Sequence, residues 1–460
     1  MNFKNKSKIA PVGLLAFGFL VLALVSLAFF SDGQDGGKDG DLRLSASNNS
    51  ESDISVGSNR VGDATTHTTV SAVQTELAPG VESELQLEVE TALAGSPGGI
   101  QVSLAGGGRA CTIDVSPGSD LDAVVAQASA GDVVCFEPGS YGHLNIVGKS
   151  GLEGSPIEFR SVGGEAIFEL GGYEVGGGTA AVFIKDSSYI VVDGLSSTNS
   201  MKGVGIDSSS HVEALNCRAW DLGQEAIFVQ GGSSHVRVAG CDVSETGNRA
   251  GNAAGRVESF NVWGELIYIG SGSSGGDQTN NVIVENNVLH DNGNATSEAI
   301  NVKSETRDIT IRENHIFNID SWCEAAIRVN SSSNLVISGN IVHDITASGI
   351  GGNGAPCSDA IGIRFDSDSA IVENNVVFRA NHTGIMADHG SGGVVRNNTL
   401  FANGVDFAAR GSVETSGNLT SDGSDGRTVS SDAFVGPLNG SADAGLGPGT
   451  GFELVTGLAS

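Results

Sequence analysis

Positive charge is scarce in this chain. Lysine and arginine number 24 against 54 aspartates and glutamates, a formal net charge of −30. So acidic a surface cannot neutralise phosphates, which excludes nucleic acid as a partner. Aromatic residues are also few, at 5%, and all charged residues together make up only 17%. These shortages, set beside 67 glycines, argue against a helical bundle and for a fold with many corners and short turns.

What the chain has is a repeat. AVFIKDSS begins at Ala181, GVGIDSSS at Gly203, AIFVQGGSS at Ala226, LIYIGSGSS at Leu266, AINVKSETR at Ala299, AIRVNSSSN at Ala326, AIGIRFDSDS at Ala360 and GIMADHGSG at Gly384. A second β-branched run follows each, and then a turn residue: Cys217, Cys241, Asn287, Asn314, Asn340, Asn375 and Asn398. The steps between those turn residues are 24, 46, 27, 26, 35 and 23. Most are one unit of about two dozen residues, and the longer ones are units with insertions. Strands this short hide their apolar side chains only by stacking coil on coil. The expected fold is therefore all-β, a single-stranded right-handed parallel β-helix. Such a solenoid lets 460 residues share one core that grows lengthwise instead of dividing.

The expected domains are an export or anchor segment over 1–30, a spacer over 31–105, the β-helix over 106–410 and a C-terminal cap and tail over 411–460. Lys4, Lys6 and Lys8 precede an apolar run from Ala10 to Phe30. A basic leader before such a run is an export pattern. It reads either as a signal cleaved after Ser26-Leu27-Ala28 or as an uncleaved single-helix anchor. Either way the remainder lies outside the cytoplasm, touching a membrane only through this segment. The spacer is rich in Ser, Gly, Asp and Glu and has no apolar periodicity, so it reads as a flexible tether. After Arg410 the pattern fades into turn-rich sequence, which is expected to cover the last coil and its sheet edges.

Six cysteines in an exported chain favour disulfides. Cys217 and Cys241 hold the same turn slot in consecutive coils, and Cys323 and Cys357 each stand three residues before the first alanine of consecutive strands. Equivalent Cα atoms in neighbouring coils lie roughly 4.8 Å apart, within disulfide range. The expected pairs are Cys111 with Cys135, Cys217 with Cys241, and Cys323 with Cys357. The alternative is a stack of buried thiols.

Alternation assigns the faces. In AINVKS, Ile300 and Val302 point inward while Asn301 and Lys303 face solvent. Coil by coil, the first outward column reads Phe183, Gly205, Phe228, Tyr268, Asn301, Arg328, Gly362 and Met386. The second reads Lys185, Asp207, Gln230, Gly270, Lys303, Asn330, Arg364 and Asp388. Three cations, Lys303, Arg328 and Arg364, fall on three consecutive coils, with Tyr268, Asn301 and Asn330 beside them as substrate contacts. Lys303 and Arg328 stand diagonally across one coil step, about 8 Å apart at the backbone. The residues preceding the strands form an acidic column: Glu225, Glu265, Glu298, Glu324 beside Ala325, and Asp359. Stacked carboxylates repel unless a cation is shared, so Glu265, Glu298 and Asp359 are candidate Ca²⁺ ligands. The plainer alternative is that such acids cap turns in solvent. Asp388 and His389 face outward near the end of the cationic stretch. His290 and His343 occupy a slot that holds Trp220, Phe317, Phe378 and Phe401 in other coils, and are expected in an aromatic stack. Insertions over 247–263 and 349–358 flank the same face, where solenoid loops often form a cleft.

A lysine, arginines and a possible Ca²⁺ carboxylate are the parts needed for β-elimination on a uronic acid. A cation neutralises the sugar carboxylate, a lysine with its pKa pushed down by two neighbouring arginines takes the C5 proton, and the 4-linked group departs. SEAINVKSETRDITIRENHIF, from Ser297 and one coil before AIRVNSSSNLVISGN, resembles the catalytic coils of polysaccharide lyase family six, which includes alginate lyases and the chondroitinase B type. GELIYIGS at Gly264 resembles the preceding coil, and together the likeness covers Gly264 to Asn340. It implies that Glu298 is a Ca²⁺ ligand, Lys303 the base and Arg328 the acid, acting on an acidic polysaccharide. The chain departs from that pattern at Thr296, in place of a second calcium carboxylate, at Tyr268, where arginine is common, and at Val329-Asn330, in place of His-Gly. A pectin hydrolase would need three clustered aspartates, and Asp366 and Asp368 stand alone past their strand. Two rival readings stay open, a monomeric non-catalytic β-helix that binds surface polysaccharide and a C5 epimerase.

Overall fold

Alternating β-branched strands with polar corners fold here into three parallel sheets through which the chain cycles in turn. The computed structural model describes residues 109–173, 179–248, 264–272, 277–292, 298–321, 324–347, 360–367, 369–388 and 393–423, plus a few short strands elsewhere. Among the described residues the first sheet has 12 strands, the second 11 and the third 10, and each strand pairs with those three places before and after it, except that Ile113–Val115 pairs with the very next strand, Val133–Phe136. One turn of the solenoid is thus one strand from each sheet, for example Arg307–Arg312, His315–Asp320 and Ala325–Val329. This is a parallel β-helix, and crossovers of this kind are right-handed. The last rungs are Val413–Ser416 and Leu419–Thr420.

Inward residues form one continuous core running from Val115 to Leu400. A short helix, Leu121–Gln127, starts at Asp120, whose carboxylate accepts from the Ala123 N–H at 3.1 Å. It packs Leu121, Val124 and Val125 against that core.

The corner between the first and second sheets is built from a residue of positive φ followed by a buried polar one. Asn286, Glu313, Asn374 and Asn397 take φ near +55°, and Asn287, Asn314, Asn375 and Asn398 follow them. Gly240 fills the first place at φ +70°, where a Cβ would come within 2.6 Å of Asn216 Oδ1. The buried asparagines make a ladder. The amides of Asn287, Asn314, Asn340, Asn375 and Asn398 each donate to the next asparagine's Oδ1 at 2.9–3.0 Å. Each also donates to a main-chain carbonyl, as Asn340 does to Ile311 at 3.0 Å. The ladder continues upward to Cys241, whose N–H donates to Asn287 Oδ1 at 2.9 Å.

Cys241 is bonded to Cys217 with Cα atoms 4.5 Å apart, and Cys111 to Cys135 at 5.7 Å. Both pairs are the expected ones. Cys323 and Cys357 lie outside the described residues, as do Asp359, His389, Thr296 and most of the two insertions. The export segment is described only at Asn2–Phe3, paired antiparallel with Leu87–Glu88, and at Ala23–Ala28, paired antiparallel with His67–Ala72. No helix among the described residues is long and apolar enough to cross a membrane. On the outer side of the second sheet His290, Phe317, His343, Phe378 and Phe401 stack with centroids 4.7–5.4 Å apart. Both histidines are members of the expected ring stack.

Candidate active site

The third sheet carries the chemistry-bearing columns. Phe183, Gly205, Phe228, Tyr268, Asn301 and Arg328 stand opposite one another strand by strand, as alternation predicts. Gly205 is required by crowding, since a Cβ there would lie 2.4 Å from Phe228 Cζ.

The next step corrects the expected register. Arg328 pairs with Arg364, not with Gly362, and Arg364 in turn with Met386. The strand Ile361–Phe365 has slipped by two residues relative to the alanine that begins the motif. A slip of two leaves every side chain on its own face, so hydrophobic alternation does not reveal it. The second column therefore runs from Lys303 through Asn330 to Asp366, Asp388 and Arg410, as the N–H bonds of Asn330 to Val302 O, Asp366 to Val329 O, Asp388 to Phe365 O and Arg410 to Ala387 O record.

Burial corrects a second expectation. Alternation directs Asn301 and Asp388 to solvent, yet they are 1% and 2% exposed. Asn301 is covered because its amide donates to Glu265 Oε1 at 3.2 Å while its Oδ1 accepts from Asn330 Nδ2 at 3.4 Å. Asp388 is covered by guanidinium groups.

The acidic column is buried rather than solvated. Glu225, Glu265 and Glu298 follow in register, with Ala226 N–H bonded to Glu265 O and Leu266 N–H to Glu298 O. All three are under a tenth exposed. Lys202 answers Glu225 at 3.1 Å. Lys303 Nζ lies 3.7 Å from Glu265 Oε1 and 4.9 Å from the Tyr268 ring centroid. Gly270, at φ +86°, makes room beneath it, since a Cβ there would sit 3.2 Å from Lys303 Cβ. Tyr268 accepts the Gly272 N–H at 2.9 Å, and burial together with the Glu265 charge pushes its hydroxyl well above the usual phenol range. Burial and the mutual repulsion of the column push Glu298 up to about 8 and Glu265 up to about 7, with Lys303 acting against both shifts. Glu265 Oε2 meets no hydrogen-bond partner among the described residues. Buried, mutually repelling carboxylates with an unused oxygen are a donor set that suits a hard divalent cation.

Lys303 lies against a carboxylate and a ring, and Arg328 and Arg364 share carboxylate partners. Asp388 Oδ2 accepts from Arg364 Nε at 2.6 Å and Arg328 Nη1 at 3.4 Å, and its Oδ1 accepts from Arg410 Nη1 at 3.2 Å. Burial pushes the Asp388 carboxyl up, but the Arg364 hydrogen bond and the charges of Arg364, Arg328 and Arg410 outweigh it and hold the group below its ordinary value. Glu324 Oε2 lies 3.5 Å from Arg328 Nε and 3.3 Å from Arg364 Nη1. Glu324, Arg410 and Lys202 carry much of this arrangement; the sequence shows Glu324 only as a member of the acidic column and does not single out the other two. Glu324 is four residues before Arg328, and Arg410 is one rung beyond Asp388; the second relation is visible only with the slipped register.

The site lies on the outer face of the third sheet. Two grooves lined by described residues lie elsewhere. One, of about 660 Å³, runs along a polar corner with Asp291, Asp344 and Arg379, and the other, of about 810 Å³, crosses the first sheet beside Tyr189, His211 and His235.

The class defined by this architecture is the parallel β-helix proteins. No protein-family model matches the chain and no curated protein matches it. Among solved structures it is similar to an alginate lyase from a Paenibacillus species, at 18% identity and TM-score 0.52, over 66% of this chain and 98% of that one. It also matches a pectate lyase at 15% identity and TM-score 0.47, over 72% and 84% of the two chains. A surface adhesin of Streptococcus pneumoniae matches at 13% and 0.45, over 65% and 84%. At such identities the likeness is one of fold.

Proposed function

We propose that this protein is an exported polysaccharide lyase that cleaves a uronic-acid-containing glycan by β-elimination on the outer face of the third sheet. The observation that carries the reading is the meeting, on consecutive coils, of Lys303 with the buried Glu265 and Glu298 on one side and with Arg328 and Arg364 on the other. A divalent cation held by Glu265 and Glu298 would neutralise the sugar carboxylate and so acidify the proton on C5. Lys303 Nζ takes that proton, the electron pair forms the C4–C5 double bond, and the C4–O bond breaks. Arg328 lies diagonally beyond Lys303 and donates hydrogen bonds to the departing oxygen, which takes a proton from solvent and leaves as the free hydroxyl. Tyr268 and Asn330 line the approach, and Asn301 holds Glu265. Export is supported by the basic and apolar N-terminal run and by the two disulfides.

One observation favours the rival reading, a module that binds acidic glycan without cleaving it: both arginines are already paired with carboxylates. An epimerase would use the same abstraction and return the proton to the opposite face. The deciding test is the ultraviolet absorbance of unsaturated uronate on incubation with alginate, pectate and chondroitin or dermatan sulfate, with Ca²⁺ or chelator. The lyase reading expects a rise that is abolished in Lys303→Ala and kept in Lys185→Ala, a residue on the same face but remote from the cluster. No rise on any substrate, with retention on an acidic-glycan column, would replace it with the binding module; proton exchange at C5 without cleavage would replace it with the epimerase.

A further inference from the structure

The arginine pair is held by two carboxylates of different kinds. The side chain of Asp388 is 3% exposed, binds Arg328 and Arg364 from the two rungs before it and Arg410 from the rung after it, and approaches Arg364 Nε to 2.6 Å. Glu324 is 39% exposed, and a single oxygen spans Arg328 and Arg364 at the longer distances of 3.5 and 3.3 Å, while each arginine is only 15% exposed. Asp388 is thus built into the floor, where it fixes the guanidinium groups. Glu324 comes from the solvent side, at the start of the strand Ala325–Val329. Its contacts are long and partly solvated, the range in which an ion pair contributes little and exchanges readily.

We propose that Glu324 is a built-in competitor for the ligand carboxylate, occupying the Arg328–Arg364 pair until a uronate displaces it. The inference rests on the reading of this face as a uronate site and adds to it a residue that sets affinity and selectivity. A carboxylate already on the arginines disfavours weakly bound anions. A ligand must bring its own carboxylate, together with enough other contacts to outweigh the one it removes. Swinging Glu324 away requires no change in the core, since its side chain is part-exposed on the outer face.

The test is titration calorimetry of the ectodomain with oligomannuronate and oligogalacturonate, and with a neutral cello-oligosaccharide of equal length, for the wild type, Glu324→Gln and Glu324→Ala. Removing the competing charge is expected to tighten binding of at least one uronate about two- to fivefold, the scale of one exposed ion pair, and to leave the neutral oligomer unchanged. Thermal melting establishes that both variants fold. Unchanged or weaker uronate binding in both variants overturns the proposal, because it would make Glu324 a support for the arginines. If neither the wild type nor the variants bind any uronate, the reading of the face falls, and this proposal with it; that failure is distinguishable because it is seen already in the wild type.

Discussion

Glu298 couples the fold to pH. Its carboxyl is pushed up to about 8 by burial first and by Glu265 second, so the folded state favours the neutral form. A carboxyl raised in this sense contributes stability that is complete below its unfolded value and is lost as pH rises through its folded value. In chelator, the melting temperature is therefore expected to fall between about pH 5 and about pH 9. Added Ca²⁺ should restore several degrees at the alkaline end by supplying the missing countercharge, and Glu298→Gln should flatten both effects. A melting temperature independent of pH and of Ca²⁺ would refute the linkage. At this scale the sequence was only partly legible. Lys303, Glu265 and Glu298 could be found because alternation and the repeat determine face and coil. The partners of the arginines could not, because they depend on which rung meets which. Burial of Asn301 and Asp388 was likewise hidden, since an outward side chain becomes covered only when its neighbours' long side chains fold over it.

The asparagine ladder is the element that joins coil to coil without apolar surface. Asn340 is fully buried; it donates to Asn375 Oδ1 and Ile311 O and accepts from Asn314 Nδ2. Replacing it by alanine leaves donors and acceptors on two coils without partners, at a cost of about 2 kcal/mol. Denaturant unfolding should register this as a lower midpoint at an unchanged slope, whereas a loss below about 0.5 kcal/mol would mean that water takes the vacated place. The ladder was recognisable in the sequence as a recurring turn residue, and the equivalence of Cys217 and Cys241 to its asparagines led to the correct bond. Register is recognisable across the insertion over 247–263, where Phe228 meets Tyr268 as expected, but not across the one over 349–358. The loop over 349–358 erases the count that would otherwise carry the alignment from Arg328 to Arg364.

Over the whole molecule, 54 acidic side chains outnumber 24 basic ones, and salt bridges such as Arg237 with Glu213 and Glu285 neutralise only part of the excess. Self-repulsion at that charge opposes compaction. Raising ionic strength from about 10 mM to about 150 mM shortens the screening length from about 30 Å to about 8 Å, and the melting temperature is expected to rise. A fall would mean that the surface ion pairs outweigh the repulsion. The solenoid itself was legible because its evidence is distributed over every coil, so no single misread residue obscures it. The slip at Arg364 has a consequence for how such a surface can change. The address of a side chain on this molecule has two coordinates, side and rung, and a shift of two residues alters only the second. Loop edits in pairs can transpose a charged group from one neighbour to another with the interior undisturbed, so the outer face can be rewritten in steps to which the core is blind.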